Sequence, residues 1–506
     1  MTRIFLRNAG SPIFAQPESA LSFFSDLMQE ALNSAANLSE LLRGKGLRLG
    51  VTGLSRAGKT VFITALARQL TQLAGPGEKN TLPVFRVAAE GRLVGGRLEP
   101  QPDDHIARFN YEDHVAALTG PDRHWPQSTR QISELRLRVD YMRRDGFRSG
   151  PSHFHIDIVD YPGEWLLDLP LLKKSYADWS RETFEASAGA ARAPFASNWR
   201  GFAATLDPAG PEDEALARRA AEMFTGYLRA ARGDVYALST LPPGRFLMPG
   251  DLEGSPALTF APLQLPEGYE AAKGTLAAMM ERRYESYKAL VVWPFFRDHF
   301  ARLDRQIVLV DALAALNSGP DALRDLQNAL NEVLGAFRVG RGGLLATLFR
   351  PKIDKILVAA TKADHLHHQS HDRLEAILRQ LTDRAISRSE LYGAEIDVIA
   401  LAAVRATREA AVRHGRETLD AIVGTPMAGE KLDGQFFDGK SEAAIFPGQL
   451  PTDPRQVFRG AGLAIPEDDA DLRFLRFRPP LVGPDDPLPH IRLDRACQFL
   501  FGDRLT

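Results

Sequence analysis

A glycine-rich segment between an apolar run and a helical pattern constrains this chain more than any other feature. Gly53-Leu54-Ser55-Arg56-Ala57-Gly58-Lys59-Thr60 matches the Walker A pattern G-x-x-x-x-G-K-[ST] at every fixed position. The apolar run 47–52 precedes it, and a helical pattern over 59–73 follows. Glycines let successive backbone N–H groups turn inward, and a helix N-terminus attracts anions. The order strand, loop, helix therefore predicts a loop that binds phosphate groups.

The residue types in this loop suggest separate roles. Lys59 is expected to reach the β- and γ-phosphates of a nucleotide, and the Thr60 hydroxyl is expected to bind Mg²⁺. The remaining nucleotide-binding positions predicted here are Ser55, Arg56, Ala57, Gly58 and Val61.

A second segment, Asp160-Tyr161-Pro162-Gly163, ends a strand-like run over 153–159. An apolar strand that delivers an aspartate to the sheet edge places a carboxylate near Mg²⁺. The Gly163 N–H is expected to contact the γ-phosphate, which would make the segment sensitive to hydrolysis. Glu164 follows directly and is a candidate catalytic residue.

The loop before the preceding strand supplies two further candidates. An Asp145-Gly146 turn signal joins the run 132–141 to the run ending at Asp160, which predicts a hairpin. Thr129 is expected to give Mg²⁺ a second hydroxyl, and Arg130 is expected to stabilise charge on the transferred phosphate.

Thr361-Lys362-Ala363-Asp364 ends another apolar strand and predicts recognition of the base. A carboxylate at Asp364 can accept hydrogen bonds from guanine N1–H and from its exocyclic amine, a donor pair that adenine lacks. Lys362 is expected to lie along the base plane. Ala403 and Val404 follow the last predicted strand and are expected to close over the base.

Asp311 leaves an alternative open. It ends the apolar run 305–310, which is also the pattern of the magnesium carboxylate in many ATPases. Asp160 is preferred because Pro162, Gly163 and the upstream hairpin fit it better. An ATPase that uses Asp311 remains the second hypothesis.

The order of the elements predicts an α/β fold, because alternating strands and helices build a mostly parallel sheet covered on both faces. The irregular stretch 75–130 is expected to be a long functional loop. The predicted domains are an N-terminal helical segment (1–46), a P-loop nucleotide domain (47–165 and 303–423), a helical insertion (166–302) and a small α+β tail (424–506).

Composition excludes several classes of function. The net charge of −2 gives no global positive field, so no nucleic-acid partner is expected. A single cysteine, Cys497, excludes a disulfide framework and a cysteine-rich zinc site, and favours a reducing compartment. The longest apolar stretch, 289–296, is too short for a membrane span, and the N-terminus lacks the apolar segment of a signal peptide.

These motifs together resemble the Ras-like GTPases, whose order is phosphate loop, switch threonine, D-x-x-G, [NT]-K-x-D and a base-closing loop. More specifically, the chain resembles the YcjX family of bacterial stress-associated P-loop proteins. GLSRAGKT, WPQSTRQISELRL, VDYPGEW, ATKADHL, LAAVRAT and LPHIRLDRACQFLFGDRL carry that resemblance over nearly the whole chain. It implies a Ras-like nucleotide domain with a large helical insertion and a cytoplasmic role in a stress response.

Two departures from the Ras-like pattern affect the expected activity. Thr361 replaces the commoner asparagine, and Glu164 stands where Ras-like proteins place a water-orienting glutamine. The sequence therefore predicts an enzyme that binds GTP or GDP with Mg²⁺, hydrolyses GTP slowly and acts as a switch, with ATP as the alternative nucleotide. A third hypothesis is a nucleotide-binding scaffold with little turnover. An unknown protein partner is expected on the helical insertion, and a peripheral membrane contact has no support in the sequence.

Overall fold

The strand before the phosphate loop lies inside a mostly parallel sheet. A computed structural model describes residues 46–53, 57–72, 81–127, 131–144, 149–189, 192–232, 241–336, 353–390, 394–414, 417–432, 434–458, 474–483 and 486–506. Of the N-terminal helical segment expected over 1–46, only residue 46 lies within this part of the chain. In the described chain the sheet has eight strands: β1 (Gly46–Gly53), β2 (Leu93–Glu99), β3 (Ala107–Arg108), β4 (Ser133–Arg143), β5 (Gly150–Asp160), β6 (Arg305–Val310), β7 (Lys355–Ala360) and β8 (Glu395–Ala400).

The strand order is β2-β4-β5-β1-β6-β7-β8, with β3 beside β4. Strands β1, β6, β7 and β8 pair in parallel, so their carboxyl ends meet at one edge. Strands β4 and β5 form the predicted antiparallel hairpin, and β2 pairs antiparallel with β4. The predicted α/β fold with a mostly parallel sheet is confirmed.

The helices cover the sheet and build the insertion. They are α1 (Lys59–Gln72), α2 (Arg86–Ala89), α3 (Tyr111–Thr119), α4 (Tyr176–Ser187), α5 (Ala193–Ala203), α6 (Glu214–Ala231), α7 (Leu276–Tyr287), α8 (Trp293–Asp298), α9 (Ala312–Ser318), α10 (Pro320–Ala336), α11 (His371–Glu390) and α12 (Leu493–Phe501). A 3₁₀ segment, Gly163–Lys173, follows β5 directly.

The expectation for the stretch after α1 is wrong. The stretch 75–130, expected to be irregular, contains α2, β2, β3 and α3. Strand β2 escapes sequence analysis because Gly95 and Gly96 interrupt its apolar alternation. It is stabilised by pairing with β4, a contact between segments that are distant in the chain.

The two faces of the sheet carry separate cores. On one face, Ile307 and Leu309 of β6 pack with α1 and α12. On the other face, Val308 and Val310 of the same strand pack with α10, α11 and the helices of the insertion. This alternation follows from the two-residue period of a strand buried on both faces.

The helical insertion and the C-terminal residues share these cores with the sheet. Leu47–Thr506 form one compact unit in the described residues. A small antiparallel sheet combines β9 (Arg408–His414), β10 (Glu417–Gly424) and β13 (Ala443–Ile445), and β11 (Lys431–Leu432) pairs with β12 (Gln435–Phe436). Strand pairing therefore joins the two sides of the boundary expected at 423–424, and the domain limits stay a prediction.

Candidate nucleotide site

One cavity of about 300 Å³ gathers most of the predicted site residues. Its wall lies beside the carboxyl ends of β1, β7 and β8. Predicted residues on that wall are Ala57, Gly58, Lys59, Thr60, Val61, Glu164, Thr361, Lys362, Asp364, Ala403 and Val404. Predicted residues outside the described chain are Ser55, Arg56, Thr129 and Arg130.

The phosphate-loop motif has the backbone that its sequence suggests. Gly58 has a φ of +80°, a left-handed conformation that residues with a side chain rarely adopt. The Phe62 N–H donates to the Gly58 carbonyl at 2.9 Å, so helical hydrogen bonding begins right after the loop. Lys59 and Thr60 thus occupy the first turn of α1, where the helix dipole is positive.

Lys59 and Asp160 form an ion pair at this end of the cavity. Lys59 Nζ lies 3.2 Å from Asp160 Oδ1, and the Asp160 side chain is only 1 % exposed. A buried carboxylate and a hydroxyl such as that of Thr60, the residue after Lys59, supply the oxygen ligands that Mg²⁺ prefers. The donor set therefore fits the metal that was predicted.

Gly163 approaches the phosphate loop more closely than any side chain would permit. A Cβ atom built on Gly163 would lie 1.9 Å from the carbonyl oxygen of Gly53. The D-x-x-G segment therefore packs backbone against backbone on the strand that leads into the loop.

Glu164 is paired with a residue that sequence analysis did not select. Its Oε1 accepts a hydrogen bond from Arg232 Nη2 at 2.5 Å. Arg232 follows the last residue of α6, in the helical insertion, and both side chains line the cavity. The insertion therefore contributes a cation beside the phosphate loop.

Asp364, on the wall of the same cavity, is held in position by hydrogen bonds. Its Oδ2 accepts a hydrogen bond from the Ala406 N–H at 2.9 Å, and its backbone carbonyl accepts one from the Thr407 hydroxyl at 2.5 Å. Asp364 is only 4 % exposed. A buried, oriented carboxylate of this kind suits a pair of donors on a base.

Asp311, the alternative candidate for the magnesium carboxylate, forms an ion pair with Lys362. Lys362 is a non-glycine residue with a φ of 61°, and its Nζ pairs with Asp311 Oδ2. Asp311 Oδ1 also accepts a hydrogen bond from the Ala314 N–H at 3.2 Å and so caps α9. Asp311 is absent from the described residues that line the cavity. These contacts favour a positioning role for Asp311 over a role as a metal ligand.

Thr361, which stands at the asparagine position of the Ras-like motif, makes a local bond. Its hydroxyl donates to the Val310 carbonyl at 3.3 Å, and its N–H donates to the same oxygen at 2.8 Å. The side chain therefore braces β7 against β6.

Sequence reasoning missed part of the cavity wall. Trp125, Pro126, His365, Arg476 and Phe477 also line it. The interleaved basic and aromatic residues at 474–478 are the sequence signal that could have indicated part of this wall. Phe477 is only 2 % exposed and lies edge-on to His365, with ring centroids 5.4 Å apart. Burial lowers the pKa of His365, which favours a neutral ring beside the base end.

A histidine cluster lies outside this cavity. Ligand atoms of His367, His368 and Glu409 lie within 4.8 Å of one another. Arg405 Nη2, however, lies 3.4 Å from Glu409 Oε1 and already compensates that carboxylate. This contact favours a polar loop over a metal site at these residues.

Among the described residues, none of the helices combines the length and hydrophobicity that a membrane-spanning segment needs.

Comparison with known proteins gives the family. The model of the YcjX-like family, DUF463, matches residues 47–505. A protein of Escherichia coli (strain K12) called Ras-like GTPase YcjX is 39 % identical over 469 residues, which cover 91 % of this chain and 96 % of that protein. A protein of the same name from Shewanella oneidensis (strain ATCC 700550) is 35 % identical over 481 residues, covering 91 % and 94 %. With its Walker A loop, its mostly parallel sheet and this match over nearly its whole length, the chain belongs to the YcjX-like family.

Proposed function

We propose that this protein binds GTP with Mg²⁺, hydrolyses it slowly and acts as a nucleotide-dependent switch. One observation carries the proposal: a single cavity is lined both by Gly58, Lys59 and Thr60 and by Lys362 and Asp364. Phosphate-binding and base-binding groups thus face the same space. The name Ras-like GTPase, borne by both relatives, supports the same activity.

The chain's own groups divide the work. The backbone N–H groups of Gly58 to Val61 and the ammonium of Lys59 bind phosphate oxygens at the N-terminus of α1. Thr60 and Asp160 would hold Mg²⁺, which when bound supplies positive charge to the β- and γ-phosphates. Asp364 accepts hydrogen bonds from the guanine edge, while Ala403 and Val404 close over the base.

Hydrolysis converts GTP and water to GDP and inorganic phosphate. The water oxygen bonds to the γ-phosphorus, the bond from that phosphorus to the bridging oxygen breaks, and its electron pair stays on GDP. Glu164 is an anion beside the phosphate loop where Ras-like proteins have a neutral amide, so slow turnover is expected. Thr129 and Arg130 keep their proposed roles on Mg²⁺ and on the transferred phosphate.

The switch is proposed to act through the 3₁₀ segment that begins at Gly163. This segment contacts the phosphate loop at one end and the helical insertion along its length. A protein partner that reads the nucleotide state would dock on the insertion. The cytoplasmic setting and the role in a bacterial stress response belong to the same proposal and depend on the family resemblance.

Equilibrium binding of GTP, GDP and ATP with Mg²⁺ tests the function. We expect guanine nucleotides to bind best and Lys59→Ala to lose at least about 100-fold in affinity, because charge-assisted hydrogen bonds contribute about 1.5–3 kcal/mol each. Lys440→Ala, at an exposed lysine, is the matched control. Preference for ATP would overturn the assignment of Asp364 and favour the ATPase with Asp311. Tight binding without turnover would leave a scaffold.

A further inference from the structure

The helical insertion brings one arginine to the phosphate end of the cavity. Arg232 lies directly after α6, whose inner face is buried through residues such as Phe224, Tyr227 and Leu228. Burial of this face fixes the end of the helix. The Arg232 backbone N–H also donates to the Leu228 carbonyl at 3.2 Å. The backbone of Arg232 therefore continues the helical hydrogen bonding of α6.

The position of Glu164 shows where that guanidinium points. Glu164 follows the glycine that packs on Gly53, and its side chain is 7 % exposed. Its carboxylate meets Arg232 at 2.5 Å, and both residues line the cavity together with Lys59 and Thr60. Arg232 thus lies beside the groups proposed to hold the γ-phosphate.

Other arginines near the cavity are engaged elsewhere. Arg245 lies 3.2 Å above the ring of Trp165. Arg476, on the cavity wall, pairs with Glu430 at 2.7 Å. Among the described arginines, only Arg232 and Arg476 line the cavity, and Arg232 is the one paired with the residue that follows Gly163.

We propose that Arg232 is a catalytic residue, supplied in cis by the helical insertion, that stabilises the negative charge developing on the transferred phosphoryl group of GTP. This rests on the proposed function. As the bond to the bridging oxygen breaks, charge accumulates on that oxygen and on the γ-phosphate oxygens. A guanidinium beside the transferred phosphoryl group stabilises such charge. Glu164 holds Arg232 at the site before the reaction and keeps it oriented.

A set of variants of the full chain separates catalysis from simple charge balance. Arg232→Ala leaves the buried Glu164 carboxylate without this partner, which alone could weaken GTP binding. The double variant Glu164→Gln with Arg232→Ala removes that problem, because it removes both charges. The rate of GTP hydrolysis by Glu164→Gln alone is the reference for the double variant. Arg229→Ala, at an exposed arginine of the same helix, is the matched control.

Three measurements are made on each variant: GDP affinity, single-turnover GTP hydrolysis, and the gain in GDP affinity on adding aluminium fluoride, which mimics the transferred phosphoryl group. We expect Arg232→Ala to keep GDP affinity within about threefold and to lose about 10²–10³-fold in turnover. The gain from aluminium fluoride should disappear. The double variant should stay as slow as Arg232→Ala.

Recovery of the double variant to the rate of Glu164→Gln would overturn the proposal, since Arg232 would then only neutralise Glu164. An unchanged rate in Arg232→Ala would overturn it as well, as would an equal loss in Arg229→Ala. Failure of the wild-type chain to bind or hydrolyse GTP would instead overturn the proposed function. The two failures are therefore distinguishable.

Discussion

Lys362 illustrates that the base-recognition motif predicts the position of a residue in the fold but not its backbone conformation. The sequence placed Thr361, Lys362 and Asp364 at the end of a strand, and the structure puts them on the cavity wall. No local pattern indicated that Lys362 would adopt a left-handed backbone with a φ of 61°. Its side chain forms an ion pair with Asp311, a residue 51 positions earlier. Such a contact depends on the finished sheet.

Asp364 provides a test of base recognition at the scale of one residue. Asp364→Asn replaces an acceptor by an amide donor, which suits the second carbonyl of xanthine better than the exocyclic amine of guanine. We expect GTP affinity to fall about 10–100-fold and xanthosine triphosphate affinity to rise, because one charge-assisted hydrogen bond contributes about 1.5–3 kcal/mol. Competition binding with both nucleotides measures this.

The control for that substitution is Asp383→Asn, at an exposed aspartate of α11. It should leave both affinities unchanged. An Asp364→Asn protein that keeps its wild-type preference for GTP would show that another group reads the base.

The 3₁₀ segment Gly163–Lys173 links the cavity to the insertion. Asp168 lies inside it, fully buried, and accepts hydrogen bonds from the Gly244 N–H at 2.6 Å and the Tyr287 hydroxyl at 2.6 Å. A Cβ atom on Gly244 would lie 2.0 Å from the Glu164 carbonyl oxygen. The segment is therefore held along its length by the insertion.

This element gives a pH dependence of stability. Burial raises the pKa of Asp168 from 3.8 to about 6, against the opposing effect of the Tyr287 hydrogen bond. Between these values the folded chain binds a proton that the unfolded chain has lost. The stabilising contribution of Asp168 is therefore fully present below about pH 4 and is lost as the pH rises through about 6.

Urea unfolding between pH 4 and 7 checks this. Asp168→Asn should flatten that part of the profile, while Glu253→Gln, at an exposed carboxylate of the insertion, should not. Tyr287→Phe removes a hydrogen bond that lowers the pKa of Asp168. In this variant the stability contributed by Asp168 should therefore be lost at a higher pH than in the wild type. Parallel profiles for wild type and Asp168→Asn would contradict the assignment.

Strands with a strong local sequence pattern could be predicted from the sequence, whereas contacts between residues distant in the chain could not. Strands β1, β6 and β7 are short apolar runs, and each lies close to where the sequence placed it. The approach of Arg232 to Glu164 joins residues 68 positions apart, and Trp125 donates to the Phe477 carbonyl across 352 positions. Those contacts depend on tertiary packing, so motif spacing could not indicate them.

At the scale of the whole molecule, the C-terminal helix completes the nucleotide domain. Arg305 of β6, fully buried, donates to the Leu500 carbonyl and pairs with Asp503 at 2.5 Å. Cys497 and Phe501 of α12 lie in the core that also holds α1. The last residues of the chain therefore support the first strand and helix of the site.

Phe501→Ala tests that support. Its side chain is fully buried, so we expect the free energy of unfolding to fall by about 3–5 kcal/mol. Phe499→Ala is the matched control, since Phe499 lies on the same helix, is only partly buried and contacts Lys355. Phe499→Ala should lower the free energy of unfolding by clearly less than Phe501→Ala. Equal losses in urea unfolding would show that α12 is not part of the cooperative core.

The shared core of sheet and insertion has a consequence for nucleotide exchange. Phe295 of the insertion packs edge-on against Tyr161, the residue after β5, with ring centroids 5.6 Å apart, and both belong to the same apolar cluster as Val308 and Val358 of the sheet. A hinge motion that swung the insertion away would expose such contact residues to water, which is unfavourable. For a nucleotide bound as proposed, the exit route therefore opens by local displacement of loops. An exchange factor would displace loops at the cavity rim rather than separate the helical insertion from the sheet.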